Sequence, residues 1–339
     1  MSAPLKILIA LTNINSPQSL GNLYGQAFRS LGHQVQIVQL PARSPLANAI
    51  ANKLASNTKT GFSPTEKAKS IIAVAEEYNP DITIVTRGHQ LHPEAISRLR
   101  QLSSLACINI YTDSPFVVPG VSAPKLSKTF AEYSCVFTFS RALIPTFYQL
   151  GANDVQWLPF GYCPDFHVPV KDVENRFMSN VAYVGSWGPF QEQWLSQLTG
   201  LNLAIYGNGW KHARQNDHIY GAWRQGIGIG VEMPRAISGA NIVFNMVRAE
   251  HCAGHSMKTF EIPACGGIMA VNWTEEHAEF FEDGTECIFY NTYAELNEKL
   301  EFYLQHPSKL SSMREGAARA IMPHSYKNRA KQILGHLGA

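Results

Sequence analysis

The spacing of apolar residues along the first forty positions changes period twice. "KILIALT" (6–12) is an unbroken apolar run, the mark of a strand covered on both faces. "NINSPQSLGN" follows as a polar loop with Pro17 and Gly21, and "LYGQAFRSLGH" then takes helical spacing at Leu23, Ala27, Phe28 and Leu31. Gly32 supplies a C-terminal stop, and "QVQIVQL" (34–40) alternates as a strand does. A strand, a helix and a strand in this span form the unit of a parallel sheet. The cycle continues with a helix over 64–78, a strand over 81–87, a helix in "PEAISRLRQLS", and strands over 106–113, 135–141 and 155–161.

Residues 164–179 lose periodicity and carry Pro164, Pro169 and mixed charge, so they read as a linker. The alternation then restarts. "NVAYVGSWG" and "LNLAIYGNGW" are each a strand ending in a glycine loop, and "QEQWLSQLTG" between them is a helix. "VEMPRAISGA" reads as a helix interrupted by Pro234, and "NIVFNMV", "IMAVN" and "ECIFYN" as strands. "YAELNEKLEFYLQH" is an amphipathic helix with Leu296, Leu300, Tyr303 and Leu304 on one face. Two further helical segments are split at Pro323, and no repeat of 20–50 residues is present. The expected fold is α/β, with two doubly wound Rossmann-like domains facing across a cleft. The boundaries read are 1–165, 178–322, and a last segment at 323–339.

Length supports that division, because 339 residues exceed what one core usually serves. Apolar residues make up 45% and charged residues 16%, with a net charge of +2. The chain is therefore expected to be globular, with no electrostatic footprint for nucleic acid or an anionic membrane. No stretch approaches the roughly 18–20 apolar residues of a transmembrane span. The six cysteines are spread singly and no export signal is read, so reduced thiols and a cytoplasmic location are expected.

In doubly wound sheets, ligands bind beyond the carboxyl ends of the strands, so the loops after strands carry the candidate chemistry. Gly21 and Asn22 open the first helix, where free N–H groups can face an anion or simply form a turn. The loop lacks G-x-G-x-x-G, and no dinucleotide site is supported. Gly185 and Ser186 sit in a second strand-to-helix loop. Gly207, Asn208 and Trp210 form a third, in which Trp210 is either a stacking face for a base or a core residue. "RAEHCAGHSMKTFE" gathers Arg248, His251, His255, Lys258 and Glu261. The i, i+4 spacing of His251 and His255 suits a metal only on a helix, and Gly254 makes the segment a loop, so no metal is expected. The Arg and Lys read as phosphate partners or as solvated surface charge. In the first half, Asp113 and His89 follow strands and are candidate acid–base groups, although Asp113 before Ser-Pro also suits an Asx-turn.

The second half, in "NVAYVGSW", "LAIYGNGW", "ANIVFNMVR", "HSMKTFEIPACGGIMA", "TEEHAEFFEDGTECIFY" and "AELNEKLEFYL", resembles the CgeB-like spore-maturation branch of the glycosyltransferases, relatives of the nucleotide-sugar transferases of GT-B fold. In the first half the likeness rests on the Gly21 loop, "TDSP" and "VFTFSRALIPTFYQLGANDVQWLPFGYCPDFH". The resemblance implies a donor nucleotide sugar held by the second domain and a C-terminal helix crossing back onto the first. It also implies transfer, hexosyl transfer foremost, to an acceptor that is a glycan, a protein or a small molecule. The donor is a substrate, and no cofactor is implied. In the wider retaining relatives a Glu-x7-Glu motif lines the donor site. Glu261 matches its second glutamate, which bonds the ribose hydroxyls there, while Ala253 stands where the first would be. CgeB-like chains typically show Arg at the position of Lys258. Two other readings stand beside transfer: a sugar-nucleotide epimerase of the same architecture, and a non-catalytic nucleotide- or sugar-binding protein.

Overall fold

The computed structural model describes residues 3–11, 18–39, 64–88, 91–115, 128–225, 230–247 and 254–339. The chain divides into two compact units, Met1–Pro159 with Arg329–Ala339, and Phe160–Asn328. Residues 164–179 thus belong to the second unit.

The first unit is built on a six-stranded sheet of β1 (Lys6–Leu11), β2 (Gln34–Gln39), β3 (Ile82–Thr86), β4 (Ala106–Tyr111), β5 (Cys135–Thr138) and β6 (Val155–Trp157). Its order is β2-β1-β3-β4-β5-β6 and every pair is parallel. Ile7 to Ala10, Ile82, Ile84 and Val85 are completely buried, as unbroken apolar strands require when helices cover both faces. The helix Leu20–Ser30 packs closely on β1. A Cβ at Gly21 would lie 1.9 Å from the Leu11 side chain, so the glycine is what permits this approach. The helix Pro64–Tyr78 has the bounds that its spacing predicts.

The second unit holds β7 (Ser179–Val184), β8 (Leu203–Tyr206), β9 (Ala240–Asn245), β10 (Met269–Asn272) and β11 (Ile288–Tyr290), in the order β11-β10-β9-β7-β8, again all parallel. Its core joins Val181, Ile205, Ile242, Phe244, Ala270, Ile288 and Trp210 to Leu296 and Leu300 of the helix Tyr293–Leu304. Thr292 caps that helix by accepting the Glu295 N–H, and the Glu295 carboxylate answers by accepting the Asn291 N–H. Pro234 does not interrupt its helix. It stands in the first turn of Met233–Ser238, where a missing N–H costs nothing.

Both sheets reverse direction of growth at one place. The first grows from β1 to β2 on one side and to β3 on the other. The second grows from β7 to β8 on one side and to β9 on the other. Ligands of doubly wound sheets gather at these switch points, outside the carboxyl ends. For the first unit the relevant loops follow β1 and β3, and for the second they follow β7 and β9. No helix among the described residues is long and apolar enough to cross a membrane.

Candidate active site

At the switch point of the second unit, the loops after β7 and β8 are knitted together. Gly185 N–H donates to the Tyr206 carbonyl at 2.9 Å and Trp187 N–H to the Asn208 carbonyl at 2.8 Å. A Cβ at Gly185 would meet the Tyr183 hydroxyl at 2.5 Å, so only glycine lets the chain pass over that ring. Ser186 and Asn208 are exposed. The helix that follows starts only at Pro189, so Gly185 and Ser186 present loop backbone and not a helix terminus. Gly207 and Gly209 both have positive φ (132° and 86°), shaping the turn that precedes Trp210.

Trp210 is not a stacking platform. It is completely buried in the core and donates its ring N–H to the Gly185 carbonyl at 2.9 Å. Its role is to fix the loop after β7 from beneath. His255 also departs from expectation, because its ring is fully buried and both nitrogens are engaged. Nε2 accepts the Phe160 backbone N–H at 3.0 Å, which puts the ring proton on Nδ1, 2.6 Å from the Glu276 carboxylate. His255 therefore ties Phe160 to the helix Glu275–Phe280 and has no nitrogen left for a ligand.

Arg248, His251 and Ala253 lie outside the described residues, as does His89 in the first unit. The segment resumes at Gly254. Ser256 Oγ lies 3.4 Å from Nδ2 of Asn245, the last residue of β9, which anchors the helix Lys258–Ala264 to the carboxyl end of that strand. On its first turn Lys258 Nζ contacts Glu261 Oε2 at 2.5 Å, the i, i+3 pairing that a helix brings together. Glu261 is only 4% exposed. Burial opposes its ionisation, but the charge of Lys258 and then the Lys258 hydrogen bond prevail and hold the carboxyl below the usual range. Pro263 lies within the helix, and Gly266, with φ at +75°, ends the run before β10.

Two features of this region are invisible in the local sequence pattern. His167, from the stretch read as a linker, places Nε2 3.7 Å from Glu261 Oε1. Asn272, at the end of β10, accepts the Val247 N–H at 2.7 Å through Oδ1, joining the ends of β9 and β10. The Asn272 carbonyl lies 3.3 Å from His277 Nδ1, and His277 Nε2 lies 2.9 Å from Thr259 Oγ1. The helix that carries Lys258 and Glu261 is thereby pinned to the loop after β10. Burial above all pushes the His277 ring down to about 3, against a weaker upward pull from the Asn272 carbonyl.

In the first unit, Gly21 and Asn22 occupy the first turn of their helix, with Gly21 buried against Leu11 as described. Asp113 pairs through Oδ2 with Arg87 Nε at 2.7 Å, so one of its oxygens is already committed. Arg87 holds φ at +61° and Gly88 at +78°, a turn that few non-glycine residues adopt. That turn sends the guanidinium across the carboxyl ends of β3 and β4, where Nε also reaches Thr112 Oγ1 at 3.3 Å.

Among the described residues, one trio could in principle hold a metal: Cys135, Asp154 and His336 of the first unit, with ligand atoms within 4.8 Å of one another. It lies at the amino ends of β5 and β6, away from the carboxyl ends. Hydrogen bonds account for it. Asp154 accepts from Gln156 at 2.8 Å and lies 2.6 Å from His336 Nε2, and burial pushes the Cys135 thiol up, keeping it protonated.

Residues 189–335 match the family model described as glycosyl transferase-like. No curated protein matches the chain in sequence. Solved structures match it over nearly the whole length. Anabaena HepE, in complex with UDP and glucose, has 13% identity and a TM-score of 0.67, covering 98% of this chain and 99% of that one. Sucrose-phosphate synthase from Thermosynechococcus elongatus has 12% identity and a TM-score of 0.72, covering 98% of each. A glycosyltransferase from Rickettsia africae has 13% identity and a TM-score of 0.66, covering 99% of this chain and 98% of that one. The chain has the GT-B fold, shared with these structures, and residues 189–335 carry the match to the glycosyl transferase-like family model.

Proposed function

We propose that the protein transfers a sugar, a hexose foremost, from a nucleotide-diphosphate sugar to an acceptor hydroxyl, without a metal, as in the CgeB-like branch that its second half resembles. The observation that carries this reading is the Lys258–Glu261 pair, a buried carboxylate and a partly exposed ammonium beside the switch point of the second sheet. A buried carboxylate offers two acceptor oxygens to a vicinal diol, which is what a ribose presents. An ammonium one helical turn away can take a diphosphate oxygen. Arg248 adds a second cation in this reading, and the loops at Ser186 and Gly207–Asn208 add backbone donors, with Gly185 letting the chain approach the ligand.

The chemistry then needs little else. The acceptor oxygen attacks the anomeric carbon, the bond from that carbon to the diphosphate oxygen breaks, and its electron pair leaves with the nucleoside diphosphate. Lys258 and Arg248 stabilise the charge that develops on the leaving group. Asp113, through the oxygen that Arg87 does not hold, or His89, removes the acceptor proton. Ala253 in place of a first motif glutamate favours a route that does not depend on that carboxylate.

UDP is the first nucleotide to test, because the HepE structure holds UDP and glucose. Titration of the protein with UDP, ADP, GDP and dTDP should give saturable binding of at least one. UDP-glucose and its counterparts should then release nucleoside diphosphate when acceptors are supplied. Absence of binding by all four diphosphates contradicts the proposal. Interconversion of the sugar with no acceptor present would replace transfer by epimerisation.

A further inference from the structure

His167 is 2% exposed, in a chain segment that has no helix or strand to place it. A tight turn fixes it. Its backbone N–H donates to the Cys163 carbonyl at 2.8 Å, and its ring Nδ1 accepts the Cys163 N–H at 2.9 Å. With the Nδ1 lone pair used, a neutral ring carries its proton on Nε2. Burial first, and Lys258 to a lesser degree, work against protonating the ring, and together they outweigh the pull of Glu261, so the neutral form stands. Nε2 has no hydrogen-bond partner among the described residues. It faces Glu261 Oε1 at 3.7 Å, beyond hydrogen-bond reach. The other oxygen of the same carboxylate is held by Lys258 at 2.5 Å. The Cys265 thiol nearby is pushed up to about 12 by burial first and by the Glu261 charge second, and remains a neutral neighbour.

One buried carboxylate thus has two donors, one closed and one open. An unpaired N–H and an under-compensated carboxylate are each costly when buried, so the gap between them marks a bond made in another state. A diphosphate supplies that state. It competes for the Lys258 ammonium, whose side chain is 21% exposed and sits on a flexible stem. When Lys258 turns away, Glu261 keeps its charge in a buried site and needs a replacement donor. Closing the gap to an ordinary N–H···O length takes a shift of only about 0.8 Å.

We propose that His167 is a positioning residue that takes hold of Glu261 when Lys258 turns to a bound diphosphate. The exchange keeps the carboxylate ionised and oriented toward the ribose, and it couples phosphate recognition to ribose recognition. This inference rests on the nucleotide-sugar reading above.

The test compares the best-binding nucleoside diphosphate of the UDP, ADP, GDP and dTDP panel with its parent nucleoside. Binding is measured on the wild type, His167→Leu and His167→Gln. His167→Leu removes the donor and should weaken the diphosphate roughly tenfold or more. The nucleoside, which leaves Lys258 on Glu261, should change by less than about threefold. His167→Gln keeps an N–H near the Nε2 position and should recover most of the loss. In the wild type, the ring Nε2–H resonance of His167 should move downfield when the diphosphate saturates the site. Equal loss of diphosphate and nucleoside in His167→Leu would reduce the residue to a packing role and overturn the inference. So would a His167→Gln variant no better than His167→Leu. An unmoved ring resonance in the saturated wild type overturns it without any variant having to fold. Failure of the wild type to bind any of the four diphosphates overturns the nucleotide-sugar reading itself, and this inference with it.

Discussion

The two units use the same sheet architecture, yet they place charge at their carboxyl ends in opposite ways. In the first, Arg87 and Asp113 pair with side chains 35% and 26% exposed, and water shares the work of stabilising them. In the second, Lys258 and Glu261 pair with side chains 21% and 5% exposed, and His167 beneath them is buried. An exposed pair contributes little and can rearrange freely. A buried carboxylate must be compensated at every moment, so whatever displaces its partner has to bring a substitute.

The largest effect that can break this comparison comes from Lys258→Met. It leaves Glu261 buried with only His167 nearby, and should cost roughly 3–5 kcal/mol of stability in urea unfolding. A cost under about 1 kcal/mol would place the second pair in the same class as the first.

Acid should act next, through His277. Its folded value of about 3 lies below the ordinary 6.5, so between these values the unfolded chain binds the proton that the folded chain refuses. Stability therefore rises with pH in that window. Its His277 share is fully present above 6.5 and is lost on acidification at on the order of 1.4 kcal/mol per pH unit. His277→Asn should flatten this slope. A slope equal to the wild type would remove His277 as the source and leave the pin between Thr259 and Asn272 insensitive to protonation.

Gly21→Ala should cost about 1–3 kcal/mol, because the new methyl meets Leu11. Loss of activity without loss of stability would instead show that Gly21 faces a ligand. The smallest effect is expected for Arg87→Ala, within about 1 kcal/mol in stability. Nucleotide binding should be unchanged in that variant if, as proposed, the second unit holds the nucleotide.

Much of the fold was legible because apolar period reports burial locally. The unbroken strand at Lys6–Leu11, the helix Pro64–Tyr78 and the restart after residue 179 all follow from it. The sheet orders were not legible, since strand neighbours far apart in the chain leave no local trace, and the switch points depend on those orders. The site divides in the same way. Lys258 and Glu261 are three residues apart on one helical turn, and spacing alone pairs them. His167 reaches Glu261 across 94 positions from a stretch with no periodicity, and only the three-dimensional structure brings them together. Sequence alone does not decide between the two readings of Trp210, and it leaves His255 among the ligand candidates, for a related reason. A tryptophan after a glycine turn and a histidine in a polar loop look available in sequence, but each lies wholly buried with its polar atoms engaged.

The most direct test of the central claim is nucleoside diphosphate affinity in Glu261→Gln against the wild type, measured by titration calorimetry on protein shown to be folded. The amide keeps the shape of the side chain and loses the charge and one acceptor oxygen. If the buried carboxylate binds the ribose, affinity should fall by about 1–3 kcal/mol, which is roughly five- to 150-fold. Unchanged affinity in the folded Glu261→Gln protein would contradict the account and leave the Lys258–Glu261 pair as structure alone.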